Sequence, residues 1–144
     1  MVEPLTDRSR SFILLAGRIL MAVVFMPSGF VKLAGLGAFA ATLEARGLPA
    51  PNLLALIGGA TEFFGALAVL LGLKMRYAAM LMIAFVIVAT AISHRYWEFA
   101  DPVLYRFQRS AFFKNIAIVA GFAFLMAAGA GRLSLDAWME GRKG

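Results

Sequence analysis

The chain has 144 residues, of which 62% are hydrophobic and 15% charged, against about 45–50% apolar and about 25% charged in soluble domains. That composition belongs to an integral membrane protein, and once helices of about 20 residues are set aside only short loops remain, with no room for a soluble catalytic domain. The lack of cysteine excludes thiol redox chemistry, iron–sulfur clusters, thiolate zinc and c-type haem attachment. A single histidine, His94, does not make a multi-histidine metal site, so no metal ligand set is expected. The net charge of +6 reads as loops against anionic lipid that fix topology, not as nucleic-acid binding.

Arg8 and Arg10 precede the apolar run "SFILLAGRILMAVVF", a charged start with the form of a signal peptide. Arg18 interrupts that run and the apolar character continues to Val31, so an uncleaved first membrane helix over 12–31 is expected, after a tail of residues 1–11. Pro27 removes the bond to the Val23 carbonyl and is expected to kink it. The segment "GAFAATLEARGLPAPN" reads as a short interfacial helix stopped by Gly47 and Pro49.

A second span over 53–73 lies in "NLLALIGGATEFFGALAVLLGL", with one carboxylate, Glu62, about 13 Å from its start and so near the midplane of a core roughly 30 Å thick. The tight link "GLKMRY" makes the second and third spans antiparallel neighbours. The third, over 77–92, is short and expected to extend at both ends. In "HRYWEFADPVLYRF", Tyr96, Trp97, Phe99 and Tyr105 mixed with arginines have the pattern of an aromatic belt at lipid headgroups. A fourth span over 111–130 precedes a C-terminal tail of residues 132–144. The expected fold is therefore all-α, an antiparallel up-down four-helix membrane bundle over 12–131 with short interfacial helices in the two long loops.

Counting Lys and Arg gives Arg8, Arg10, Arg18, Lys74, Arg76, Arg132, Arg142 and Lys143 on the terminal side. The loop side has Lys32, Arg46, Arg95, Arg106, Arg109 and Lys114. The bias favours both termini in the cytoplasm.

Polar residues fall on helical stripes. Gly58, Glu62, Gly65 and Gly72 share one face of the second span, and small-residue stripes are where membrane helices pack most closely. Glu62 is therefore expected to face protein. Arg18, Ala22, Phe25, Gly29 and Lys32 form a stripe on the first span, Lys114, Ala117, Gly121, Leu125 and Ala128 on the fourth. The third shows a weaker one, Arg76, Met80, Ile83, Ile87, Thr90 and His94. Arg18, by helical rise and side-chain length, is the expected partner of Glu62. Lys32, His94 and Lys114, with Asn115, are expected to form a cationic mouth at the loop side. The plain alternatives are a structural ion pair, snorkelling lysines and a histidine complementing a helix dipole.

The runs "GRILMAVVFMPSGFVKLAG", "GLPAP", "GGATEFFGALAVLLGLKMRYAAM", "AISH" and "KNIAIVAGFAFLMAAGAGRLSLD", in that order, resemble the DoxX family of small membrane proteins over nearly the whole chain. The resemblance implies a four-helix membrane bundle. Its recurring positions are Arg18, Gly29, Lys32, Glu62, Gly65, Gly72, Arg76, His94, Lys114, Gly131, Ser134 and Asp136. It also implies a link to quinone-dependent oxidation or to oxidative-stress and quinone responses.

Two functions from different classes follow. The first is a quinone-linked redox subunit of an inner membrane, in which Lys32, His94 or Lys114 donates to a carbonyl of a bound lipid quinone, with no covalent cofactor, while Glu62 relays a proton. The second is a non-catalytic subunit that packs against other membrane subunits or against copies of itself. A carrier for protons or a small anion ranks below both, because four short helices leave little room for an aqueous path.

Overall fold

The computed structural model describes residues 5–141, and six α-helices and one 3₁₀ turn account for most of them. The helices are α1 (Asp7–Ala34), α2 (Leu36–Glu44), α3 (Pro51–Leu71), α4 (Met75–Ser93), α5 (Pro102–Ala128) and α6 (Leu135–Gly141), with the 3₁₀ turn over Tyr96–Glu98. No strand occurs among the described residues. Arg142 and Lys143, counted above to the terminal side, lie outside them, as do residues 1–4 of the expected N-terminal tail.

Local chemistry explains where the helices begin and end. Thr6 caps α1, its Oγ1 accepting from the Ser9 amide at 3.2 Å, so the helix starts five residues before the expected span and takes in half of the expected tail. It then runs unbroken through Pro27 for 28 residues. Asp101 accepts from the amides of Val103 and Leu104, at 2.9 and 2.8 Å, and Pro102 occupies the first turn. Hence α5 starts nine residues before the apolar run that hydropathy detects, because "PVLYRFQRS" is helical without being apolar.

The link between α3 and α4 is closed from elsewhere in the chain. Gly72, at φ 64°, ends α3 in the left-handed conformation, and the Leu73 amide reaches back to the Ala68 carbonyl at 2.9 Å. The start of α4 has no capping side chain of its own. Asp136 supplies one, accepting from the amides of Lys74 at 2.6 Å and Met75 at 2.9 Å. The segment expected as a C-terminal tail thus contains α6, itself capped by Ser134, whose Oγ accepts from the Ala137 amide at 3.2 Å.

α1 packs on α3, α3 on α4, α4 on α5 and α2 on α3. Side chains join α1 to α5, with the rings of Phe25 and Phe122 at 5.6 Å. The main core includes Phe25, Ala66, Val69, Met75, Ala79, Met82, Val86, Phe122 and Leu125. Outside it the surface is strongly apolar: Leu20, Val23, Phe30, Val88 and Phe124 are all exposed, Phe124 at 75%. Among the described residues four helices are long and apolar enough to cross a membrane, and apolar faces of this kind are covered by lipid or by other membrane spans.

Two expected stripes need correction. On α4 the buried residues are Met75, Ala78, Ala79, Met82, Val86 and Thr90, while Arg76, Met80 and Ile87 are exposed. On α5 they are Ala111, Phe122 and Leu125, and Lys114 and Ala117 are exposed. Both stripes had been anchored on charged residues near helix ends, which are free to face outward. The α1 stripe stands as expected, with Arg18, Ala22, Phe25 and Gly29 all buried.

Candidate functional site

Glu62 is 3% exposed, as its glycine-rich face requires. Its partner is Lys32, whose Nζ donates to Oε2 in an ion pair across α1 and α3, and not Arg18. Glycines set this register. A Cβ on Gly29 would stand 2.6 Å from the Phe63 amide nitrogen, and one on Gly59 would stand 3.2 Å from the Leu33 side chain. These contacts bring the end of α1 to the middle of α3, whereas span boundaries drawn by hydropathy carry no register. Lys32 and Arg18 share the stripe but lie about 21 Å apart by helical rise.

Lys32 of this pair borders a cleft between α2, α3 and α4 of about 350 Å³. Its walls are apolar, with Phe39 and Leu43 from α2, Leu54, Ile57 and Gly58 from α3, and Leu81, Phe85 and Val88 from α4. Thr61, Ser93 and Lys32 are its polar groups. Gly58 opens the space, since a Cβ there would meet the Phe39 ring at 3.6 Å. The Lys32 side chain is 31% exposed, against 4% for Glu62, and its Nζ lies 5.4 Å from the Phe39 ring centroid. The ammonium thus meets the cleft while the carboxylate stands behind it.

The other members of the expected mouth do not join it. His94 Nδ1 lies 2.8 Å from Gln108 Oε1, and the His94 amide closes α4 on the Thr90 carbonyl. Asn115 donates to Thr90 Oγ1 at 2.9 Å, tying α5 to α4. Lys114 is exposed on α5. Only Lys32 of the four lines the cleft. The aromatic loop gathers around Tyr96, whose ring lies 5.1, 5.6 and 5.5 Å from those of Trp97, Tyr105 and Phe112.

Arg18, fully buried, is a clasp. Its two terminal nitrogens donate to the carbonyls of Leu70, at 3.1 Å, and of Leu133. One guanidinium therefore holds the end of α3 and the segment leading into α6. Gly72 makes room for it, as a Cβ there would collide with Arg18 and stand 2.6 Å from the Ser134 side chain.

The profile of the DoxX family matches residues 13–95, the stretch that contains both Lys32 and Glu62 and supplies the cleft walls. This chain belongs to the DoxX family. It is similar to inner membrane protein YphA of Escherichia coli strain K12, with 30% identity over 128 residues, 89% of this chain and 91% of that protein. It is also similar to inner membrane protein YqjF of the same strain, with 33% identity over 122 residues, 85% of this chain and 88% of that protein. No solved structure matches it significantly. In this DoxX-type integral membrane protein, seven of the twelve positions that carry the resemblance fall in two places: Gly29, Lys32 and Glu62 at the charge pair, and Arg18, Gly72, Ser134 and Asp136 around the clasp.

Sequence reasoning missed Phe39, Thr61 and Gln108. The available signal for Phe39 was Gly58, a small residue opposite an aromatic one on the short helix. Nothing in the spacing pointed to Gln108.

Proposed function

We propose that this chain is a DoxX-type subunit that holds the head of a lipid quinone, or a similar apolar carbonyl compound, in the cleft between α2, α3 and α4. The observation that carries the reading is the Lys32–Glu62 pair, with its ammonium at the cleft wall and its carboxylate buried behind. The cleft suits such a group: about 350 Å³ of mainly apolar lining with one partly exposed amine.

An ammonium has three N–H donors, so Lys32 can bond Glu62 and still donate to a carbonyl oxygen. Glu62 keeps that donor oriented, and it stands next in line to exchange a proton through Lys32. When bound, a quinone supplies two-electron, two-proton acceptor chemistry. With no cysteine in the chain, the electron donor is assigned to a partner subunit. The protein is placed in a bacterial inner membrane, in keeping with the names of its relatives. Both termini are cytoplasmic, the spanning helices are antiparallel, and α2 lies at the interface.

Native mass spectrometry of the protein extracted with its lipid tests this. One quinone per chain is expected, lost in Lys32→Met and in Gly58→Leu, which fills the cleft beside Phe39 and leaves both charged side chains in the sequence. A tightly retained partner chain with no small ligand overturns the reading and makes the protein a non-catalytic assembly subunit.

A further inference from the structure

A second cavity, of about 810 Å³, lies at the opposite end of α3, where α1 begins, α3 ends, α4 begins and α5 ends. For helices that span a bilayer this is headgroup depth. Arg10, Lys74, Arg76 and Arg132 line it, with the acids Asp7, Asp136 and Glu140. Both Asp136 oxygens are already engaged by the first amides of α4. The two ion pairs among the described residues are Lys32–Glu62 and Arg95–Glu98, so none of the four cations has a carboxylate partner there.

Beneath the cavity floor lies a fifth cation. Arg18 is fully buried, and the space beside Gly72 is where its guanidinium meets Ser134 and Ala130, both of which line the cavity. It bonds two carbonyls, and its Nε has no partner among the described residues. Two neutral carbonyls hold it, and Asp136, the acid that acts on it, makes no ion pair with it, so its charge is offset only in part and its field is weakly screened from within. Below the cavity, then, stands a buried charge that no carboxylate contacts, and around it a rim of solvated ones.

We propose that this cavity binds a phosphate-bearing anion. Arginine forks match the oxygens of a phosphate in bidentate fashion, and Arg10, Arg76 and Arg132 bring three of them to one rim. Two sources carry this group, the phosphodiester of an anionic lipid and a soluble phosphate ester. The site is separate from the cleft and stands whether or not a quinone binds there.

The test uses the full chain in phosphatidylcholine vesicles, with phosphatidylglycerol added in one arm and glycerol 3-phosphate at matched ionic strength in the other. Native mass spectrometry counts retained lipid, and thermal unfolding reads the soluble ligand. Retention of phosphatidylglycerol over phosphatidylcholine identifies the lipid source, while a melting shift with glycerol 3-phosphate alone identifies the soluble one. In either case Arg76→Gln with Arg132→Gln, side chains that bond nothing among the described residues, lowers binding roughly tenfold or more. Arg106→Gln with Lys114→Gln, exposed residues elsewhere on α5, leaves it unchanged. If neither ligand is preferred, or if the control pair lowers binding equally, the proposal is overturned. Should the Arg76/Arg132 variant unfold, the wild-type preference decides alone.

Discussion

Gly29 of α1 rests directly on the backbone of Phe63 in α3: a Cβ at position 29 would stand 2.6 Å from the Phe63 nitrogen and 2.9 Å from its Cα. Backbone cannot step aside as a side chain can. Gly29→Ala is therefore expected to lower stability by about 1–3 kcal/mol through overpacking and to shift Lys32 away from Glu62. At Gly65 the obstacle is the Met82 sulfur, at 2.5 Å, and a flexible thioether can move. Gly65→Ala is expected to cost less. Gly17 meets nothing within 4 Å, so Gly17→Ala is expected to be neutral or slightly stabilising through helix propensity. Denaturation in mild detergent, followed by circular dichroism, ranks the three.

The same contact shows what the sequence could and could not disclose. Four apolar runs were enough to expect four spanning helices, and the three-and-four spacing was enough to place Arg18, Ala22, Phe25 and Gly29 on one buried face. Spacing says which face turns inward but not which depth meets which. Both Arg18 and Lys32 were on the inward stripe, and the axial register that chose Lys32 for Glu62 depends on contacts such as Gly29 on Phe63. Asp136 shows a second limit, since a cap supplied from over sixty residues away leaves no local trace at "GLKMRY". Spacing failed at Lys114 for a simpler reason: a charge at a helix end satisfies itself in water or headgroups, so it does not mark an inward stripe.

Removing one partner of the Lys32–Glu62 pair leaves the other without its counter-ion. Glu62, at 3% exposure, is the costlier one to strand, so Lys32→Met is expected to destabilise more than Glu62→Gln. Lys32 is partly exposed, and solvent tempers the loss below the roughly 3–5 kcal/mol of a fully buried pair. The double variant Lys32→Met with Glu62→Gln is expected to recover much of the stability, because no charge is left unpaired. Additive losses in that double-mutant cycle, measured by chemical unfolding, would show that the two residues do not act as a pair.

Three loop-side residues expected to act together are predicted to separate on substitution. Lys114→Gln, at an exposed position, is expected to change stability by no more than about 0.5 kcal/mol. Asn115→Ala removes the donor to buried Thr90 and is expected to cost about 1–3 kcal/mol. His94→Ala breaks the half-buried contact with Gln108 and is expected to cost about 0.5–1.5 kcal/mol. None of the three is expected to alter occupancy of the cleft, which native mass spectrometry reads on the same samples.

The clasp makes a prediction that local contacts alone would not. Arg18 bridges the Leu70 and Leu133 carbonyls, and a lysine, with one ammonium at the end of its stem, cannot span both with a planar fork. Arg18→Lys keeps the charge and so tests geometry by itself. Loss of the bridge frees the Leu133 segment, and with it α6 and the Asp136 cap on α4. Asp136→Ala removes only the cap and is expected to cost about 0.5–2 kcal/mol. The two are told apart by limited trypsin digestion in vesicles, because cleavage after Arg132, an exposed residue held by its backbone amide to Ser11, requires local undocking. Arg18→Lys is expected to speed that cleavage at least several-fold, and Asp136→Ala to speed it less. Equal and unchanged cleavage in wild type and both variants would mean that α6 is held by contacts other than Arg18, and the guanidinium would then be a partner for the cavity above it instead of a clasp.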